Sequence, residues 1–243
     1  GRSALNANTT ASNNTAVGYF ALDTNTTGAN NVAIGSLALD ANTTGSFNYA
    51  LGKDALGANT TGSVNVAIAN ALTSNTTGES NVSVGSNSLN DNTTGSQNVA
   101  VGRQALGDNT TANNNTAVGY NALLRNTTGT QNTAVGSAAL DAVLTGNDNT
   151  ALGYIALSSA TGSQNTALGS RSLQDMGAGD DNTAVGYHSL HSNTTASDNT
   201  AVGSNALFAN TTGSQNVAVG ANALISCTTG PNNVAVGHGA LES

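Results

Sequence analysis

The chain has 243 residues, of which 7% are charged and 3% aromatic, with a formal net charge of −8. Five basic residues leave no footprint for a phosphate backbone, which excludes nucleic-acid binding from the expected functions. Twenty-nine Gly beside a single Pro exclude collagen and Pro-rich linkers, and no apolar run approaches the ~20 residues that span a bilayer.

The chain opens mid-repeat. A unit of seventeen residues, seen clearly from Asn115 to Gln131, recurs about fourteen times. Its first residue is always Asn, and we number it position 1: Asn14, Asn31, Asn48, Asn65, Asn81, Asn98, Asn115, Asn132, Asn149, Asn165, Asn182, Asn199, Asn216 and Asn233. Two of the intervals are sixteen, between Asn65 and Asn81 and between Asn149 and Asn165. Position 3 is Ala in all copies but one, which has Ser83. Position 4 is always Val, Ile or Leu, position 8 is Ala or Ser, and position 9 is always Leu.

A period this short fixes the architecture. Helical-hairpin repeats need ~34 residues or more, whereas two short strands and two turns fit. One expected strand covers positions 2–5, with 2 and 4 on one side and Ala and Gly on the other. A second covers positions 6–9. Asn-Thr-Thr-Gly at positions 12–15 then supplies turn chemistry, because Asn tolerates and Gly freely adopts left-handed conformations. The expected fold is all-β, a parallel β-solenoid of about fourteen coils forming one domain over residues 1–243. Stacking at ~4.8 Å per coil makes a rod roughly 65–70 Å long. The expected core is position 4 with Leu at position 9, joined by Val at position 2, each buried aliphatic contributing about 1.5–3 kcal/mol. The Asn column is expected to stack as an amide ladder, the alternative being that each Asn only sets turn geometry.

The copies up to Gly129 are regular, and most carry Asn-Thr-Thr. Ten such triplets match the N-glycosylation pattern, but turn chemistry accounts for them. The pattern then loosens: Val143 and Leu144 replace polar residues, the coil at Leu157–Gly162 is a residue short, and Met176-Gly-Ala-Gly follows. Drift and a local contact site are both open readings. Cys227 fills a slot usually held by Asn and reads as drift. The chain closes mid-repeat as well, so we expect an internal segment of a longer protein.

Little of the sequence carries chemistry. His188 and His191, with Asp180 and Asp181 of the preceding coil, are the one candidate metal cluster, although exposed polar turn residues are far commoner. Neither a cofactor nor an enzymatic activity is expected, because a uniform rod offers no pocket. Two surfaces stand out. One is the Ala/Gly face of positions 3 and 5, flat enough for another solenoid to approach. The other is position 6, where Tyr19, Tyr120, Tyr154 and Tyr187 are candidate contacts for a sugar or a protein, or simply solvated rings.

The unit Asn-Thr/Val-Ala-Val/Ile-Gly-x-x-Ala-Leu resembles the head repeats of trimeric autotransporter adhesins. Asn31-Val-Ala-Ile-Gly-Ser36 and Asn65-Val-Ala-Ile68 are the nearest stretches. With Asn-Thr-Thr-Gly included, it is similar to repeats of bacterial and phage tail-fibre-like proteins. The resemblance implies a left-handed β-roll, a homotrimer, an extracellular, cell-surface or virion-tail location, and a surface glycan or protein receptor. It departs from the adhesin heads in its longer unit, and it carries over no ligand. The function expected on this basis is a structural and adhesive fibre segment. The alternative is an ice-binding solenoid, since Thr recurs at position 14 in all copies but one and partly at position 2.

Overall fold

The computed structural model describes residues 1–242. It is all-β, with one three-residue parallel strand per repeat, always at positions 2–4. The chain divides into two compact units, Gly1–Asn121 with Arg125–Thr128, and Ala122–Leu124 with Gly129–Ser243.

The first unit holds β1 (Thr15–Val17), β2 (Val32–Ile34), β3 (Tyr49–Leu51), β4 (Val66–Ile68), β5 (Val82–Val84), β6 (Val99–Val101) and β7 (Thr116–Val118). Each pairs in parallel with the next, like residue on like residue: Ala16 on Ala33, Ala33 on Ala50, Ala50 on Ala67. The sixteen-residue coil keeps this register, with Ala67 on Ser83. The second unit holds β8 (Thr133–Val135), β9 (Thr150–Leu152), β10 (Thr166–Leu168), β11 (Thr183–Val185), β12 (Thr200–Val202), β13 (Val217–Val219) and β14 (Val234–Val236), paired in the same way. Each unit is therefore a parallel β-solenoid, and the period set by the Asn column is the period of the coil.

The expected second strand at positions 6–9 is replaced by a turn. Positions 7 and 9 are left-handed in nearly every coil, as at Phe20 (φ 52°) and Leu22 (φ 51°), and so is position 17, as at Asn30 (φ 59°). A left-handed non-Gly residue is disfavoured by roughly 1–2 kcal/mol. Here it turns its N–H along the coil axis to a neighbouring carbonyl. Leu22 N–H donates to Ala38 O of the next coil at 3.0 Å, and Leu37 N–H to Tyr19 O of the previous one at 2.9 Å. The Asn-Thr-Thr-Gly turn contains none of the left-handed positions.

The core is also inverted relative to expectation. Positions 2 and 4 do share a face, but that face is outside. Ala at position 3 points inward and is fully buried at Ala33, Ala50, Ala67 and Ala100. The interior of a coil is built from this Ala, Ala or Ser at position 8, Leu at position 9, and two Asn side chains, at positions 1 and 12. Leu at position 9 is the large side chain common to the coils, and where position 12 is not Asn a second apolar side chain, such as Met176 beside Leu173, fills the bore with it.

Glycine at position 5 follows from stacking. Gly18 sits at φ +148°, and a Cβ there would lie 2.2 Å from Gly35 O of the next coil. The Ala/Gly face expected as a flat docking surface does not exist: its Ala side chains are the core, and its Gly backbones lie against one another.

Candidate functional site

Polar side chains form three hydrogen-bonded columns, two of buried Asn and one nearer the surface. At position 1, Asn31 N–H donates to Asn14 Oδ1 at 2.9 Å while Asn31 Nδ2 donates to Gly45 O at 2.8 Å, and Asn48 and Asn65 repeat the arrangement. In the second unit Asn149, Asn165, Asn182 and Asn199 donate backbone N–H to the preceding Asn Oδ1 in the same way. The Asn column is thus a ladder between coils.

A second ladder runs at position 12. Asn42 Nδ2 donates to Asn25 Oδ1 at 2.8 Å and to Gly45 O of its own coil at 3.0 Å, and Asn59, Asn75 and Asn92 do likewise. Asn25, Asn42, Asn59, Asn75, Asn92, Asn109, Asn126, Asn193 and Asn210 are completely buried, so a glycan on those amides is incompatible with the fold. In the second unit the same position holds Val143, Ala160 and Met176, all buried. Apolar residues replace the amide here in three consecutive coils, because an isolated replacement would orphan its neighbours.

A third column lies at position 16, where a side-chain oxygen accepts the N–H of the preceding coil: Ser46 from Ala29, Ser63 from Ser46, Asp180 from Ser163, Ser197 from Asp180. The mixture of Ser, Asn and Asp at this position hides the shared acceptor role in the sequence.

The candidate functional surfaces are the outward columns. Position 4 places one Val, Ile or Leu per coil outside, and none is buried; Ile34, Leu51 and Ile68 are each about 40% exposed, and Leu152 49%. Position 2 adds Val32, Val66, Val82 and Val99 in the first unit. The result is a parallel sheet face with aliphatic side chains toward solvent, opposite in character to the Ala/Gly face expected there.

The four candidate Tyr residues at position 6 are exposed, at 48% for Tyr19 and Tyr120, 51% for Tyr154 and 52% for Tyr187. They are held by different neighbours. Tyr19 packs edge-on against Phe20 with centroids 4.4 Å apart, Arg103 lies 5.8 Å from the Tyr120 ring centroid, and Tyr187 stacks on His188 at 3.9 Å.

That last contact begins a ring cluster. His188 lies 4.9 Å from His191, and both approach Phe208 of the next coil, at 5.8 and 5.1 Å. His191 Nδ1 is 3.5 Å from Asp175 Oδ2, whereas Asp180 belongs to the position-16 column. Desolvation, helped by His191 and Arg171, holds the His188 imidazole below its usual pKa of 6.5. Among the described residues no group of three or more His, Cys, Asp or Glu is placed to hold a metal. Burial, with Asp54 and Asp23 nearby, raises the Asp40 pKa, and burial with Asp91 raises that of Asp108.

Thr at position 14 is exposed in the first unit, as at Thr27, Thr44, Thr61 and Thr77. Its neighbour at position 13 faces the backbone: Thr26 Oγ1 donates to Thr43 O and Thr43 Oγ1 to Thr60 O, both at 3.0 Å. Two adjacent free hydroxyl rows are therefore not formed. Among the described residues no helix is long and apolar enough to cross a membrane.

These features define a tandem-repeat β-solenoid with polar ladders inside and an aliphatic face outside. Comparison of the chain with protein-family models, with curated proteins and with solved structures finds no match.

Proposed function

We propose that this chain is a structural and adhesive fibre segment, displayed outside a bacterial cell or on a phage tail, and that it assembles as a homotrimer. The observation that carries the reading is the outward aliphatic residue at position 4 of each coil, joined at position 2 of the first unit by Val32, Val66, Val82 and Val99. A solvent-facing row of Val, Ile and Leu is an unusual feature for an isolated chain, and long apolar strips mark association surfaces. Burying such a row stabilises an assembly by roughly 25 cal/mol per Å² of apolar surface. In a trimer three identical rows, one per copy, meet around the three-fold axis through equivalent heterologous contacts that close into a ring.

Solution mass tests the reading. Light scattering is expected to give a species near three times the 23.8 kDa chain. Val101→Asp with Val118→Asp is expected to shift it to monomer while the circular dichroism of the solenoid persists, since both side chains lie outside the coil. A clean monomer for the unmodified chain overturns assembly through this face. Ice binding is the less supported reading, because the exposed Thr of position 14 stands as a single row.

A further inference from the structure

Over five successive coils of the second unit position 6 alternates Ser137, Tyr154, Ser170, Tyr187, Ser204, before Ala221 ends the pattern. These residues are stacked, coil on coil. Ile155 N–H donates to Ser137 O, Arg171 N–H to Tyr154 O, His188 N–H to Ser170 O and Asn205 N–H to Tyr187 O, at 2.9–3.2 Å. The column is therefore continuous, with one side chain per ~4.8 Å and an aromatic ring every second coil, about 9.6 Å apart. Both rings are half exposed. Tyr187 is braced from one side by the stacked His188 imidazole, which in turn packs on Phe208.

We propose that this column binds an extended β-1,4-linked glycan laid along the coil axis, naming the ligand class for the adhesive reading on which the proposal rests. The fit is geometric. An extended β-1,4-linked pyranose chain advances about one coil spacing per sugar, and its two-fold screw brings the same face round at every second sugar. Tyr154 and Tyr187 thus meet equivalent faces of sugars n and n+2, each ring covering C–H groups as an amphipathic aromatic surface does. Ser170, between them, meets the edge of sugar n+1 with a hydroxyl that donates and accepts. An α-linked chain curls away from a straight column, and a protein strand presents no recurring flat face at this period. Ring bracing by His188 lowers the ordering cost of binding.

The test is titration of the full chain with cellohexaose and chitohexaose, followed by calorimetry and by chemical shifts of the Tyr rings. Cellobiose and maltohexaose serve as length and linkage controls. At least one hexaose is expected to bind, with the disaccharide at least about tenfold weaker because it reaches only one ring, and with Tyr154→Ala and Tyr187→Ala each weakening the hexaose about tenfold, or roughly 1.4 kcal/mol. Absence of binding by both hexaoses, equal binding of maltohexaose, or indifference to both Tyr substitutions overturns it. Solution mass plays no part in these outcomes, so failure of the trimer and failure of the glycan site are read separately.

Discussion

Asn210 Oδ1 is buried without a donor because the next coil presents Cys227 where the ladder calls for an amide. On its other side Asn210 is a normal rung, with Nδ2 donating to Asn193 Oδ1 at 3.3 Å and to Gly213 O at 2.9 Å. The Cys227 thiol reproduces one half of the missing residue, lying 3.6 Å from Gly230 O, the carbonyl that an Asn would meet. Cys227→Asn is expected to stabilise the fold by about 0.5–1.5 kcal/mol, the net worth of one added hydrogen bond with its acceptor already buried. Thermal or urea unfolding checks it. A variant no more stable than the parent would mean that Asn210 Oδ1 is not a cost to the fold.

The converse holds inside an unbroken run. Asn42→Val removes the donor to Asn25 Oδ1 and the acceptor for Asn59 Nδ2, and leaves both in a dry interior. The expected cost is about 1–3 kcal/mol for orphaned buried groups. Extending the change to Asn42→Val, Asn59→Val and Asn75→Val together moves the orphaned ends apart without adding new ones. The triple variant is therefore expected to cost less than twice the single. Strict additivity in denaturant unfolding would refute the cooperative ladder, and with it the explanation for Val143, Ala160 and Met176.

Position 5 gives a sharper contrast. Gly102 holds φ +131°, where an added Cβ would meet Gly119 O at 2.5 Å. The one coil with Ala at this place, Ala69, is the coil one residue short at position 7, and its φ falls to 73°. The two departures coincide in one coil: in the shortened turn the backbone lies not in the region open only to Gly but in one that Ala tolerates. Gly102→Ala is expected to destabilise by at least about 2 kcal/mol, combining backbone strain with a clash. Ala69→Gly is expected to lose no more than about 1 kcal/mol, through the entropy of the unfolded chain. Matching melting curves for the two variants would contradict this coupling.

Much of the fold was legible because the Asn, Leu and Gly columns state the coil period directly, and the register follows it through both short coils. The side of the strand was not. Parity correctly groups Val32 with Ile34 against Ala33, but parity cannot tell which group faces in. The usual preference for burying the larger aliphatic points the wrong way when the bore is filled by Leu39 and two amides. The second ladder was masked because Asn-Thr-Thr-Gly also reads as a turn, and only the burial of Asn25 and Asn42 separates a core amide from a surface one. The signal that was available is the run of Val143, Ala160 and Met176. Three apolar residues replacing Asn in successive copies mark an interior position. Tyr exposure at position 6 was anticipated, whereas the His188–Phe208 packing joins residues from two coils and needs the observed register.

The ring cluster predicts a pH dependence with a definite sign. Burial lowers the His188 pKa below 6.5, with His191 and Arg171 opposing its charge. His191 has Asp175 beside it at 3.5 Å, whereas His188 Nε2 is buried without a hydrogen-bond partner. The unfolded chain then binds a proton at a higher pH than the folded one does. Stability from the neutral ring is complete above pH 6.5 and is lost as pH falls from there through the lower folded pKa. His188→Asn suits the same backbone, since Asn87, Asn121, Asn205 and Asn222 occupy this turn position at φ 55–59°. The variant is expected to show a flatter decline in melting temperature between neutral and mildly acid pH than the parent, at some loss of stability at neutral pH from the missing stack on Tyr187. Parallel profiles for the two proteins would show that His188 protonates as freely in the fold as out of it.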